Sequence, residues 1–173
     1  MIITGKALVM GDDVNTDIII SGRYLSLPVE KAVQHVFESM DPEFKNRIKP
    51  GCIIVAGKNF GCGSSREIAS QVLKQIGISC ILAKSYARIF YRNTIAIGLP
   101  ALIVKDLPAN KSKIGKMSIC LDSGKISCLK TKIIFKATPL HPKIRELISK
   151  GGVDGVLKDL KKNRNQICSK QKI

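Results

Sequence analysis

Residues 57–69, GKNFGCGSSREIA, place two adjacent serines and an arginine in a glycine-rich stretch between an apolar run and an amphipathic run. A turn of this kind between a strand and a helix points free backbone N–H groups at one spot, and the helix dipole adds partial positive charge there. Arg66 can hold a carboxylate or a phosphate with two parallel hydrogen bonds. The stretch therefore predicts an anion-binding loop with backbone donors from Gly61, Cys62 and Gly63.

Two nucleotide-binding motifs resemble this stretch but do not match it. The motif G-x-x-x-x-G-K-[S/T] would need glycine and lysine at the positions of Cys62 and Gly63. The dinucleotide motif G-x-G-x-x-G would need glycine at the position of Arg66. The sequence therefore supports neither class of nucleotide site.

Ser64 and Cys62 each allow a structural and a chemical interpretation. Ser64 and Glu67 match a capping box, in which the serine caps a helix and the glutamate reaches back. A serine oxygen held by N–H groups at a helix start is also better tolerated as an alkoxide, so Ser64 could accept a proton. Cys62 is either a small loop residue or, with Lys58 and Arg66 near it in sequence, the thiolate of a thiol-dependent enzyme.

The apolar runs on either side of the loop predict alternating strands and helices. The helices between the strands should end at Gly77 and Gly98, and Ser85 should cap the second of them. This order with short turns is typical of a parallel α/β core. Buried strands are expected at 52–57, 78–83 and 99–105.

The remaining segments extend this core at both ends. We expect a strand in ITGKALVMG and a helix from Pro28, with an apolar face that reaches Phe37. Alternating runs around residues 122–124 predict a β-hairpin, and one or two short C-terminal helices should be broken at Gly151-Gly152. The chain is expected to form a single domain over 1–163, followed by a basic, frayed tail at 164–173.

The sequence carries 29 Lys and Arg against 13 Asp and Glu, a net charge of +16 that favours anionic partners. No arginine-rich, aromatic-interleaved pattern accompanies this charge, so we do not expect nucleic-acid binding, although a polyanion-binding protein stays open as an alternative. The six cysteines and two histidines lack metal-ligand spacing, and we expect no metal site from this chain alone. With no run long enough for a membrane span and no signal peptide, the sequence predicts a cytoplasmic protein.

Several motifs stand in the same order as in a known family: GDDVNTDIII with RYL, GKNFGCGSSRE, ILAKSYARIFYRNTIAIGLP and a C-terminal GG. The sequence resembles the small subunits of 3-isopropylmalate dehydratase, the detached swivel domain of the aconitase superfamily. The resemblance implies an α/β fold, a swivelling β/β/α domain with a parallel strand–helix core and an additional β layer. It also implies isomerisation of 2-isopropylmalate to 3-isopropylmalate through isopropylmaleate, in leucine biosynthesis. A [4Fe–4S] cluster would be carried by a separate large subunit, in a heterodimer or heterotetramer.

The resemblance assigns roles to four residues of this sequence. Ser64 matches the general base that removes a proton from carbon, and Asp17 matches an aspartate that supports the catalytic site. Ser65 and Arg66 match positions that bind a carboxylate of the substrate, a small dicarboxylic hydroxy acid. Arg66 and the loop N–H groups would stabilise the enediolate-like anion that develops as the proton leaves.

Substrate specificity in this family is expected in the segment after the RYL motif. The homoaconitase branch has an arginine there, whereas this sequence has Ser26 and Leu27, which suit an isopropyl group. Two positions depart from the family pattern: Ile68 where histidine is frequent, and Ala96 where asparagine is frequent. Homoaconitate and other alkylmalates of the dimethylmalate or methylmalate type therefore stay open as alternative substrates.

Overall fold

One mixed sheet organises the part of the chain that the computed structural model describes, residues 1–107 and 114–170, with side chains up to residue 162. The strands are β1 (Ile2–Val9), β2 (Ile53–Ala56), β3 (Cys80–Ala83), β4 (Ala101–Ile103), β5 (Lys116–Cys120), β6 (Lys125–Cys128) and β7 (Ile134–Lys136). Their order in the sheet is β4-β3-β2-β1-β5-β6-β7. The predicted N-terminal strand, the three buried strands and the hairpin are all confirmed.

Strand β1 joins a parallel half of the sheet to an antiparallel half. Its residues Ala7–Val9 pair in parallel with β2, whereas Ile2–Lys6 pair antiparallel with β5. Strands β2, β3 and β4 continue in parallel, and β5, β6 and β7 continue antiparallel. The predicted parallel core with an additional β layer is thus confirmed, and the two parts are halves of one sheet.

The parallel strands are buried on both faces, and their alternate residues enter two different clusters. Every residue of β2 and β3 is buried, as expected when both faces of a parallel sheet are covered. Ile54 packs with the helices on one face, while Ile53 packs with Met117 and Ile119 of β5. The antiparallel half therefore curls over one face of the parallel half, and helices cover the other.

Helices connect the parallel strands and close the C-terminal side. The helices are α1 (Thr16–Ile19), α2 (Val29–Ala32), α3 (Glu67–Gln75), α4 (Arg88–Ala96), α5 (Pro142–Ser149) and α6 (Val153–Lys170). Short 3₁₀ turns follow α1, follow α2 and precede β2, at Gly22–Tyr24, Val33–His35 and Phe44–Arg47.

The helix expected from Pro28 to Phe37 is shorter than predicted. Pro28 is the N-cap of α2, which ends at Ala32 and passes into a 3₁₀ turn. Phe37 adopts a positive φ of 60°, and its N–H donates to the carbonyl of Ile19 at 3.0 Å, so this tertiary hydrogen bond replaces helix continuation. Phe37 is nevertheless fully buried, which confirms the predicted apolar face.

The predicted helix ends agree with the structure better than the predicted helix starts. Gly77 and Gly98 lie just after α3 and α4 with φ of 96° and 78°, as predicted. The prediction that Ser85 caps α4 is wrong, because the N-cap is Ala87 and no side chain caps it. The Ser85 hydroxyl instead accepts a hydrogen bond from the Asn59 N–H at 2.8 Å, which ties it to the glycine-rich loop.

The break between α5 and α6 is a close backbone contact. Gly152 has a φ of 98°, and a Cβ there would lie 2.4 Å from the carbonyl oxygen of Ala96, so the predicted break at Gly151-Gly152 is confirmed. The boundary between the domain and the tail at residue 163 stays a prediction. None of the described helices combines the length and apolar character that crossing a membrane requires.

Candidate active site

Two of the motif segments interlock at the carboxyl end of the parallel strands. Asp12 Oδ1 accepts a hydrogen bond from the Lys58 N–H at 2.8 Å, and Asn59 Nδ2 donates to Asp13 Oδ1 at 2.9 Å. A side chain at Gly57 would displace the Asp12 carboxylate from this contact, because a Cβ there would lie 1.7 Å from Asp12 Oδ1. Segments 11–17 and 57–66 therefore act as one structural unit, although about forty residues separate them.

Thr16 supports the glycine-rich loop from the protein interior. Its N–H donates to the carbonyl of Cys62 at 2.9 Å, and its hydroxyl donates to the carbonyl of Ser64 at 3.1 Å. The N–H of Gly61 donates to the carbonyl of Val14 at 2.8 Å. Because these bonds hold the loop carbonyls toward the interior, the loop side chains are left on the exposed side.

The predicted capping box at Ser64 and Glu67 is wrong. Helix α3 begins at Glu67, its N-cap is Arg66, and no side chain caps it. Arg66 is extended (φ −93°, ψ 109°), so Ser64 lies two residues before the cap, and Glu67 instead accepts a hydrogen bond from Gln71 at 3.1 Å. No hydrogen bond among the described residues uses the exposed Ser64 hydroxyl, which leaves it available for chemistry.

Asp17 and Arg66 form an ion pair that joins α1 to the loop. Arg66 Nη1 contacts Asp17 Oδ1 and also lies 3.4 Å from the carbonyl oxygen of Ile20. The Arg66 side chain is 17% exposed and that of Asp17 is 57% exposed. Arg66 Nε is buried without a hydrogen-bond partner in the described part of the chain. Arg66 is thus fixed in place while it keeps an unused donor.

A cavity of about 200 Å³ lies between the loop and the first turn of α4. This is smaller than the roughly 300–1,000 Å³ of sites for drug-sized ligands and suits a small acid. Two arginines and no carboxylate belong to its lining. The lining residues are Thr16, Gly61, Gly63, Ser64, Ser65, Arg66, Ala87, Arg88, Ile89 and Phe90.

The structure brings most of the predicted site residues together at this cavity. Ser64, Ser65 and Arg66 line it with Gly61 and Gly63. Asp17 is linked to the cavity by its ion pair with Arg66. Cys62 is partly buried outside the cavity lining and contributes its carbonyl to the loop.

Ser26 and Leu27, the predicted specificity residues, lie outside the lining of this cavity. Ser26 is exposed, and Leu27 packs partly buried against the core cluster under the helices. Their segment does approach the site, because a Cβ at Gly22 would lie 3.4 Å from Arg66 Nη2. Their role in specificity stays a prediction.

Five lining residues were not predicted from the sequence: Thr16, Ala87, Arg88, Ile89 and Phe90. Thr16 directly precedes Asp17, and the other four lie within the motif SYARIFYRN, which periodicity assigned only to a helix. The position of the SYARIFYRN motif offered a signal for these residues, because it begins a helix that follows a parallel strand. Such helix starts lie at the ligand-binding edge of α/β sheets.

Metal-ligating side chains do not cluster in the described ranges. No group of three or more His, Cys, Asp or Glu side chains there could hold a metal ion. The described residues therefore do not fit a [4Fe–4S] cluster, whose iron atoms are usually bound by several cysteine thiolates. Cys52, Cys80 and Cys128 are instead buried in the core, where burial raises the pKa of the Cys80 thiol.

Comparison with known proteins gives a consistent family. The family described as the aconitase C-terminal domain matches residues 24–106. The 3-isopropylmalate dehydratase small subunit of Caldanaerobacter subterraneus is 46% identical over 150 residues, covering 86% of this chain and 93% of the relative. The isopropylmalate/citramalate isomerase small subunit of Methanocaldococcus jannaschii is 42% identical over 158 residues, covering 91% and 94%.

A solved structure extends the similarity to the whole fold. The crystal structure of 3-isopropylmalate dehydratase from Methanocaldococcus jannaschii superposes with a TM-score of 0.84 at 40% identity, and the match covers 99% of both chains. Sequence and fold thus agree over nearly the full length of the relatives. The chain belongs to the family of 3-isopropylmalate dehydratase small subunits.

Proposed function

We propose that the chain is the small subunit of a hydro-lyase that isomerises 2-isopropylmalate to 3-isopropylmalate through isopropylmaleate, in leucine biosynthesis. The observation that carries the proposal is the cavity that Ser64, Ser65 and Arg66 line together. It occurs in a chain that is 46% identical to a 3-isopropylmalate dehydratase small subunit. Two arginines and no carboxylate in the lining favour an acidic substrate.

Arg66 and the loop N–H groups bind one carboxylate of the substrate in this proposal. No hydrogen bond in the described chain uses the N–H groups of Gly63, Ser64 or Ser65, so these donors are free for a ligand, whereas the N–H groups of Gly61 and Cys62 face the segment that precedes α1. Asp17 holds the Arg66 guanidinium in one orientation, which reduces the reorganisation needed on binding. The carbon next to this carboxylate then lies beside Ser64.

Ser64 accepts the proton from that carbon. Serine lacks a pKa suited to this task, so its oxygen needs a positive environment to act as a base. Arg66 and Arg88 line the same cavity and provide this environment. As the proton leaves, negative charge moves onto the carboxylate oxygens, where Arg66 and the loop N–H groups stabilise it.

Loss of the hydroxyl group needs a Lewis acid, which a [4Fe–4S] cluster provides when it is bound by a large subunit. The residues of this chain that the structure describes do not fit such a cluster, and the relatives are named as small subunits. We therefore place the cluster on a partner in a cytoplasmic heterodimer or heterotetramer.

A smaller alkylmalate is the second candidate substrate. One relative at 42% identity is named isopropylmalate/citramalate isomerase small subunit, so one related site handles two alkyl groups. The specificity of this chain for 2-isopropylmalate over a methylmalate is therefore a separate question from the reaction itself.

The test combines this chain with an anaerobically prepared, cluster-bearing large subunit from the same organism. Loss of isopropylmaleate is followed by ultraviolet absorbance for wild type, Ser64→Ala, Cys62→Ser and Ser149→Ala. Ser149 is an exposed serine of α5 outside the cavity and serves as the matched control. We expect Ser64→Ala to lower kcat by about 10²–10⁴-fold, with the other two variants near wild type.

Other outcomes would change the proposal in defined ways. A stable complex without activity on isopropylmaleate would indicate a different hydroxy acid. Loss of activity in Cys62→Ser with retention in Ser64→Ala would support a thiol-dependent enzyme. Failure to form any complex would favour a polyanion-binding protein, which steeply salt-dependent RNA binding would then reveal.

A further inference from the structure

We infer that Arg88 binds the second carboxylate of the substrate, across the cavity from Arg66. This inference rests on the proposed function, because it names a further binding residue for the same dicarboxylic acid. Arg88 is the first residue of α4 and lines the same cavity as the serines of the loop.

The start of α4 is hydrogen-bonded to the loop on both sides of Tyr86. The Phe60 N–H donates to the carbonyl of Ser85 at 3.0 Å, and the Ala87 N–H donates to the carbonyl of Phe60 at 3.0 Å. Gly61 lies so close to α4 that a Cβ there would be 2.1 Å from Phe90 Cγ. Arg88 is therefore presented at a fixed position relative to Ser64, as a substrate-positioning residue requires.

Tyr86 ties the same segment to the sheet. Its hydroxyl donates to the carbonyls of Ile81 in β3 and Leu102, at 2.8 Å and 3.0 Å. Burial raises the pKa of the Tyr86 phenol well above its ordinary value, so the hydroxyl stays a neutral donor. The first turn of α4 is thus connected both to the loop and to two parallel strands.

Arg88 is the cation of the cavity that has no acidic partner. Arg66 is paired with Asp17, whereas no ion pair in the described ranges involves Arg88, which is exposed. The cavity lining contains no carboxylate that could neutralise it. A guanidinium binds a carboxylate through two parallel hydrogen bonds, so an unpaired arginine beside an anion loop favours a second acidic group of the ligand.

The backbone of α4 adds donors at the same place. Tyr91 is the first residue of the helix whose N–H bonds within it, to the carbonyl of Ala87 at 3.0 Å. The N–H groups of Arg88, Ile89 and Phe90 take part in no hydrogen bond among the described residues. These N–H groups and the helix dipole add to the positive potential of the Arg88 guanidinium, which is the main binding group for the carboxylate.

Two carboxylate contacts from opposite sides would fix the substrate carbon that reacts. A malate-type acid carries its two carboxylates on adjacent carbons, and Ser64 must reach the carbon beside one of them. With Arg66 at one end and Arg88 at the other, the acid cannot rotate about a single contact. Loss of Arg88 should therefore weaken binding of dicarboxylates much more than binding of monocarboxylates.

The test compares Arg88→Gln with Arg92→Gln in the assembled enzyme. Arg92 lies one helical turn later, is also exposed and is not part of the cavity lining, so it controls for loss of a positive charge on α4. We expect Arg88→Gln to raise KM for 2-isopropylmalate by about 10- to 100-fold with kcat within a few-fold of wild type. Arg88→Lys should recover part of the loss, and Arg92→Gln should match wild type.

Calorimetric titration of the same complexes with succinate and with isovalerate separates this inference from the proposed function. Weaker binding of succinate in Arg88→Gln alone, with isovalerate unchanged, would support a carboxylate contact even if isopropylmalate were not turned over. Equal succinate affinity in Arg88→Gln and Arg92→Gln, or equal KM values, would overturn it. A wild-type complex that binds no dicarboxylate would refute both the inference and the proposed function.

Discussion

Replacing Gly61 with alanine tests the close contact between the glycine-rich loop and α4. Gly61 has a φ of 75°, and an added Cβ would lie 2.1 Å from Phe90 Cγ and 2.6 Å from Phe90 Cβ. Gly63 offers a matched control in the same loop, because its φ of 88° is similar but its nearest neighbour would be Thr16 Oγ1 at 3.5 Å. The two substitutions therefore share the backbone strain and differ in the steric overlap.

The free energies of unfolding follow from these two terms. Positive φ costs a non-glycine residue about 1–2 kcal/mol, and this cost applies to both variants. Overpacking adds about 1–3 kcal/mol at Gly61 only, because Phe90 is 3% exposed and has little room to move. We expect Gly61→Ala to lower the free energy of unfolding by about 2–5 kcal/mol, and Gly63→Ala to lower it by about 1–2 kcal/mol.

Urea unfolding of the chain, followed by circular dichroism, measures both values under two-state conditions. A double variant Gly61→Ala/Phe90→Leu keeps the test decisive if the single variant unfolds too readily. A smaller side chain at residue 90 should relieve the overlap, so the double variant should lose less free energy than the sum of the two single losses. Equal losses for Gly61→Ala and Gly63→Ala, together with additive behaviour of the double variant, would refute the close contact.

Two further predictions concern the segment that leads to the site. The pKa of the Glu38 carboxyl lies below its ordinary value because it hydrogen-bonds to His35 and, with a smaller effect, to Tyr24. The ionised Glu38 carboxylate therefore stabilises the folded chain above about pH 4.5, and this stabilisation is lost as the pH falls through the lowered pKa. Urea unfolding from about pH 6 to about pH 3 should show wild type and Glu38→Gln converging, and a constant gap would contradict this. Exchanging Ser26 and Leu27 for a loop with arginine should shift relative rates of the assembled enzyme toward tricarboxylates; unchanged rates would refute the specificity argument.

The parallel core could be predicted because its signals are local. The buried runs at β2 and β3 consist of apolar residues over their whole length, as strands covered on both faces require. Gly77 and Gly98 mark helix ends because a left-handed residue after a helix is nearly always glycine. Neither signal depends on contacts with distant parts of the chain.

Helix starts could not be predicted in the same way, because contacts with residues distant in sequence decide where they lie. Ser64 and Ser85 both have the residue type of an N-cap, and neither caps a helix. Thr16 holds the carbonyl of Ser64, and the hydroxyl of Ser85 accepts from Asn59. The first bond fixes the backbone of Ser64 ahead of the helix and the second occupies the side chain of Ser85, and both are formed by residues far away in sequence.

The sequence by itself determined that a glycine-rich loop with Ser64, Ser65 and Arg66 follows a buried strand, because glycine content, apolar periodicity and residue type are local properties. Only the tertiary structure decided that Asp17 pairs with Arg66 and that Arg88 lines the same cavity. Those residues meet because parallel strands bring their carboxyl ends to one edge of the sheet, where loops and helix starts from separate segments converge. Register and packing of the whole sheet set that convergence, and no short stretch of sequence encodes them.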